Sequence, residues 1–221
     1  KKNIKIGAFL PSAGEFPSKF GVNNMAIKLE ELGFSSLWVS DHILMPKIIK
    51  ADYPFAKDKK ATWDTKTPWY DALIVLALAA SVTKKVKLGT AVLVLPLRHP
   101  VIFAKQVASI DEQSKGRLIL GIGAGWLSDE FEALNVDFKK RGKIIEEWIK
   151  ISRNCWSGEP KNFSGDHYNL PNGFFALPRP YNGDIPFLVG GHSKYALKRA
   201  ATLGNGWLPQ QSAPSINPSE L

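Results

Sequence analysis

Short apolar runs alternate along this chain with segments whose apolar residues recur at helical spacing. Residues 4–10 (IKIGAFL) read as a strand. Val22, Met25, Ala26, Leu29 and Leu32 then share a helical face, and Gly33 supplies a stop signal. The next strand covers 36–40, and 71–82 (DALIVLALAASV) is apolar enough all round to predict a largely buried helix. VKLGTAVLV (86–94) predicts a strand, and Val101, Ala104, Val107 and Ala108 mark one face of a helix following Pro100. RLILGIG (117–123) is the next strand; Ile144, Ile145, Trp148, Ile151 and Cys155 place a helix around 141–156. IPFLVGG (185–191), a helix at 193–203 and a short strand near 206–209 complete the series. The chain shows no low-complexity segment and no internal repeat.

Strand–helix alternation without hairpin signals argues for a parallel sheet with helices outside. Two architectures satisfy it, a closed (β/α)₈ barrel and an open doubly wound sheet, and both place ligands at the carboxyl ends of the strands. Those ends are polar or glycine-rich: Ser40-Asp41-His42, Gly89-Thr90-Ala91, Gly121 to Trp126, and Gly190-Gly191-His192-Ser193. The stretch SLWVSDHILMP (36–46) sets an acid beside an imidazole where a plain turn needs neither. VGGHSKYAL permits two readings: an anion site at a helix N-terminus, or a tight turn with Ser193 as N-cap. GIGAGW resembles GxGxxG, but Trp126 stands where the third glycine belongs, and the first strand and the acid about twenty residues on that a dinucleotide site expects are not convincingly met.

The balance of 44% hydrophobic and 22% charged residues is that of an ordinary globular protein, and 221 residues suffice for one large domain. No apolar run is long enough to span a membrane, and the N-terminus turns polar too early for a signal peptide. Cys155 is the single cysteine, so an internal disulfide is excluded, and its spacing to the four histidines fits no metal site. The expected compartment is the cytoplasm. The net charge of +9 comes from scattered lysines on polar helix faces, without a nucleic-acid motif, and suits an anionic small molecule better than nucleic acid.

Four blocks, GFSSLWVSDH, VKLGTAVLVLPLRHPVIFAKQVASID, GRLILGIGAGWLSDEF and PFLVGGHSKYALKRAATLGNGWLP, occur in an order that resembles the luciferase-like monooxygenase superfamily, closest to its F420-dependent (deazaflavin) oxidoreductases. The resemblance runs from Ile4 to about Pro209 and implies a TIM-type (β/α)₈ barrel with a flavin or deazaflavin at the strand ends. It further implies a bulge with a non-prolyl cis peptide at Ala91–Val92 and a phosphate site at Gly190, Gly191, His192 and Ser193. Asp41, Thr90, Ala91, Gly123, Ala124 and Gly125 match positions around the cofactor ring, and His42 matches a histidine with a proton-transfer role. The sugar-phosphate dehydrogenases of that branch carry a glutamate after the glycine loop; Trp126 stands there instead, which argues against that reaction.

Other polar residues carry weaker expectations. His99 in LRHP reads as structural, Arg98 as solvent-facing and His167 as a surface residue. Ser128, Asp129 and Glu130 read as a helix start with acids favoured by the dipole, and Glu130 is assigned no chemistry. Residues 43–70 form a long aperiodic connection with Tyr53, Phe55, Trp63, Trp69 and Tyr70, read as a lid with KDKK as its solvated tip. A second excursion, 157–184, precedes the fifth strand.

The count is six strands, whereas a closed barrel of eight takes about 250 residues. The chain reads as a fragment or as a shortened member, and an open barrel would expose apolar edges that dimerisation or another cover must hide. Three functions compete: an F420-dependent oxidoreductase acting on a small organic substrate, a reduced-FMN-dependent monooxygenase, and a non-catalytic flavin binder. A homodimer is expected, with no nucleic-acid or membrane partner.

Overall fold

The computed structural model describes residues 4–61 and 63–209. The first half contains β1 (Gly7–Phe9), α1 (Phe16–Phe20), α2 (Val22–Glu31), β2 (Ser36–Val39), α3 (Ala72–Val82), β3 (Lys87–Val94) and α4 (Pro100–Gln113). The second contains β4 (Leu118–Gly123), α5 (Ser128–Ala133), α6 (Arg141–Trp156), β5 (Phe163–Ser164), β6 (Asn169–Leu170), β7 (Phe187–Gly190), α7 (Lys194–Thr202) and β8 (Gly206–Leu208).

Six strands make one sheet in the order β1-β2-β3-β4-β7-β8, every neighbouring pair parallel. An order that follows the chain without reversal has no topological switch point, so the doubly wound alternative is excluded. These are consecutive staves of a (β/α)₈-type barrel. Among the described residues β1 and β8 are the sheet's edges, and Ile6, Phe9 and Trp207 are exposed there. The excursion 157–184 holds an antiparallel pair, β5 with β6, contrary to the expectation of no hairpin; two-residue strands are too short to show a period.

Alternation sorts each strand's side chains. Leu37 and Val39 are fully buried in the cluster that includes Leu73 and Leu76 of α3 and Phe103 and Val107 of α4. Trp38 faces the other way. A Cβ on Gly7 or on Gly89 would run into its indole, so two neighbouring strands give up side chains to seat that ring inside the barrel. Asp71 caps α3, its Oδ1 accepting from the N–H groups of Leu73 (2.9 Å) and Ile74 (3.0 Å).

At the opposite end of the strands, polar groups serve stability. The buried Arg117 donates to the carbonyls of Ala80, Thr83, Val86 and Ser114 and to Thr83 Oγ1, closing the C-terminus of α3. Glu30 receives the backbone N–H groups of Lys84, Lys85 and Val86. Burial alone would raise its carboxyl, but those N–H groups and the Arg117 charge hold it below the ordinary carboxylate value. A lowered folded value means stability that is present above the unfolded value, near 4.3, and is lost as pH falls through the folded one. Denaturant midpoints should therefore show wild type above Glu30→Gln at pH 7, with the gap closing on acidification below about pH 4. A gap that does not change with pH would sink this account.

Candidate active site

The loop leaving β2 carries Ser40, Asp41 and His42 at the carboxyl end of the sheet, tied to the end of β1 by Ser12, whose Oγ donates to Ser40 O at 3.1 Å. Asp41 is buried, and both its oxygens are engaged: Oδ2 accepts from Val94 N at 3.0 Å and Oδ1 from the Arg98 guanidinium at 2.6 Å. Arg98 also donates to Asp71 at 2.8 Å, and its side chain is only 10% exposed. The expectation that Arg98 faces solvent is thus overturned. It bridges the ends of β2 and β3 and the cap of α3. Burial pushes the Asp41 carboxyl up, opposed by Arg98 and the Val94 N–H; burial would lower Arg98, but Asp41 and Asp71 together hold it high.

His42 is 8% exposed and Glu130, from the first turn of α5, is 2% exposed. His42 Nδ1 lies 3.2 Å from Glu130 Oε2, while Glu130 Oε1 accepts from the backbone N–H groups of Ile43 and of Leu44 (3.0 Å). Glu130 therefore holds both the histidine and the backbone behind it. The expected helix start at Ser128 with acids in its first turn is observed, and Glu130 is in addition buried against His42. A signal was present: Leu127, Glu130, Phe131 and Leu134 fall at i, i+3, i+4, i+7, which puts the acid on a buried stripe.

Around His42 stand Trp69, Trp63 and Trp126, with ring centroids 4.7, 6.0 and 6.0 Å from the imidazole. Tyr53 packs on Trp63 and Trp126, each at 5.1 Å. Three of these four aromatic residues come from 43–70, whose described residues form no helix or strand apart from an isolated bridge between Trp69 and Ala13.

On the next staves, β3 breaks register between Thr90 and Leu93, and the Ala91–Val92 peptide is cis. Thr90 Oγ1 donates to Gly121 O at 2.7 Å. Val92 lies where a Cβ on Gly123 or on Gly190 would have to go, so Thr90, Ala91, Gly123 and Gly190 share one rim. Ala124 and Gly125 continue from β4, and Gly125, at φ 85°, packs against Val94 and Phe131. Arg141 grips this loop through Gly125 O at 3.1 Å. Beyond β7, Gly191 has φ 110°, the His192 ring stands edge-on to Trp207 at 5.6 Å, and Ser193 caps α7 by accepting from Ala196 N at 3.2 Å. The N-cap half of the reading of VGGHS is thus observed, and a capped helix still leaves first-turn N–H groups for an anion.

His99 is structural: it caps α4 and its ring meets Tyr168 at 5.3 Å. His167 is half-buried and its N–H donates to Glu147 at 3.1 Å. Among the described residues no group of three His, Cys, Asp or Glu side chains could hold a metal ion, and no helix is long and apolar enough to cross a membrane. An apolar groove of about 330 Å³ lies elsewhere, between α4, α6 and the 157–184 excursion. Lys105 is the one charged group lining it.

The luciferase-like monooxygenase family profile matches residues 14–217. The chain belongs to this family. An uncharacterised protein of Mycobacterium tuberculosis is 34% identical to this luciferase-like chain over 184 residues, 83% of this chain and 63% of the relative. An F420-dependent glucose-6-phosphate dehydrogenase of Amycolatopsis mediterranei is 31% identical over 209 residues, 93% of this chain and 57% of the relative. An F420-dependent secondary alcohol dehydrogenase, solved with an F420–acetone adduct, superposes with TM-score 0.74 at 25% identity over 96% of this chain and 59% of its own. The luciferase-like chain thus spans about three-fifths of the length of the proteins it matches.

Proposed function

We propose that this chain carries the cofactor rim and proton-handling histidine of an F420-dependent oxidoreductase acting on a small organic substrate. The observation that carries the reading is the buried His42–Glu130 contact at the strand ends. An ionised carboxylate only accepts, so Nδ1 of His42 donates to Glu130 and Nε2 is left to exchange a proton with a reacting group. The similarity to F420-dependent enzymes supports the choice of cofactor. When bound, a deazaflavin supplies a hydride-accepting ring carbon.

The rim fits such a group. Gly123 and Gly190 make room for the Val92 side chain at the bulge, and Gly191 takes a φ of 110° just before the N-terminus of α7, whose first-turn N–H groups suit a phosphate. Thr90, Ala91, Ala124 and Gly125 would border the ring, and His192 and Ser193 the phosphate. Asp41 would act indirectly, since its carboxylate already holds Val94 and Arg98. A homodimer is part of this reading: Ile74 and Leu78 of α3 and Ile102 of α4 are exposed apolar residues suited to a second copy. The cytoplasm is the proposed compartment, in keeping with a single, buried cysteine.

Titration of the purified chain with F420 and with FMN, followed by cofactor absorbance and fluorescence, tests the cofactor. Saturable F420 binding that weakens in Gly191→Val is the expected result. Tight FMN binding without F420 binding would overturn it in favour of a reduced-FMN-dependent monooxygenase. F420 binding without turnover of any alcohol or carbonyl would leave a binding protein in place of an enzyme.

A further inference from the structure

The indole Nε1 atoms of Trp63 and Trp69 are buried and have no hydrogen-bond partner among the described residues, although both rings stand against His42. A buried N–H without an acceptor costs about 1–3 kcal/mol, and such groups are few in native proteins. Here two occur in one loop, beside the group assigned to proton transfer. Phenylalanine would keep an aromatic ring there without that cost.

The chemistry of the surroundings narrows what an acceptor there can be. Trp63, Trp69, Trp126 and Tyr53 present ring faces and edges, and among the described residues no lysine or arginine makes a cation–π contact with them. The one carboxylate in contact with His42, that of Glu130, is engaged by the imidazole and by two backbone N–H groups. Nothing in this box compensates a phosphate or a carboxylate. Four aromatic rings instead favour a flat, apolar body through stacking and edge contacts.

We infer that Trp63 and Trp69 form a substrate subsite over His42 for a neutral, ring-bearing carbonyl compound or its alcohol, whose oxygen accepts from their indole N–H groups. This rests on the reading of His42 as the proton-handling group. It places substrate selection in a loop outside the strand-end rim, and it selects against phosphorylated substrates.

The test uses the full ¹⁵N-labelled chain without cofactor, so failure of the F420 or FMN titration does not affect it. Seven tryptophans give seven indole N–H signals, and Trp63→Phe and Trp69→Phe identify two of them. Acetophenone is the probe, ethylbenzene its counterpart without an acceptor, and glucose 6-phosphate the anionic control. Acetophenone should move the Trp63 and Trp69 indole signals downfield and saturably, with affinity falling up to about tenfold in each phenylalanine variant. Ethylbenzene should bind without that downfield shift, and glucose 6-phosphate should leave both signals in place. Indole signals unmoved by acetophenone, moved alike by ethylbenzene, or moved by glucose 6-phosphate would overturn the inference.

Discussion

Arg98→Met should lower the unfolding free energy by about 3–5 kcal/mol, because it strips the charged partner from a fully buried carboxylate. Asp41 Oδ1 accepts from the Arg98 guanidinium at 2.6 Å and its side chain has no exposed surface. Without Arg98 the Val94 N–H is the hydrogen bond left to that carboxyl, and burial already pushes its protonation upward. Methionine keeps most of the stem volume, so the loss reports the charge more than packing. For a chain of this size the melting temperature should fall by roughly 6–20 °C. The decisive comparison is Arg98→Met with Asp41→Asn, whose amide oxygen still accepts from the Val94 N–H. Removing both charges leaves neither unpaired, so the double variant should regain part of the stability lost in Arg98→Met alone. If the double variant is no more stable than Arg98→Met alone, the ion pair is not what holds the ends of β2 and β3 together.

That ion pair also shows where sequence reasoning stops. A sheet buried by helices writes its strands as apolar runs and its helices as faces, and both are local. The helix expected around 141–156 is α6, Arg141–Trp156, and the strand expected at 86–94 is β3, Lys87–Val94. The carboxyl-end rule then pointed to Asp41 and His42, because it concerns position along a strand. Arg98 and Glu130 escaped because their partners lie 57 and 88 residues away. Next to His99 and Pro100, Arg98 is an ordinary loop cation; in the first turn of a helix, Glu130 is an ordinary dipole acid. The tryptophans of the 43–70 loop were noticed as aromatic, but no spacing rule brings Trp63 and Trp69 onto one imidazole. The hairpin of β5 and β6 left no trace because each strand is two residues long. Local pattern located the rim, and long-range contacts decide what each rim residue does.

The largest effect on function should come from the His42–Glu130 pair. On the proposed reading His42 exchanges the proton, so His42→Ala should cost about 10²–10⁴ in kcat. Glu130→Gln is more informative. Glutamine can still accept from the N–H groups of Ile43 and Leu44 through its carbonyl oxygen, so the loop keeps its anchor. Its amide then turns an N–H toward Nδ1, where the carboxylate offered an acceptor. Two donors cannot face each other, so the imidazole must carry its proton on Nε2, the nitrogen that has to accept. A wrong tautomer in an intact frame cost about 10⁴ in a serine protease triad, which bounds the expected loss in kcat from above. KM should change little, because Glu130 lies behind His42. Imidazole ¹⁵N shifts supply a readout independent of turnover: wild type should show Nδ1–H and Glu130→Gln should show Nε2–H. Once His42 is alanine, Glu130→Gln has no ring left to misorient, so the double variant should be no slower than His42→Ala alone. Losses that multiply in the double variant, or an unchanged tautomer in Glu130→Gln, would mean that Glu130 supports the loop and leaves the proton to other groups.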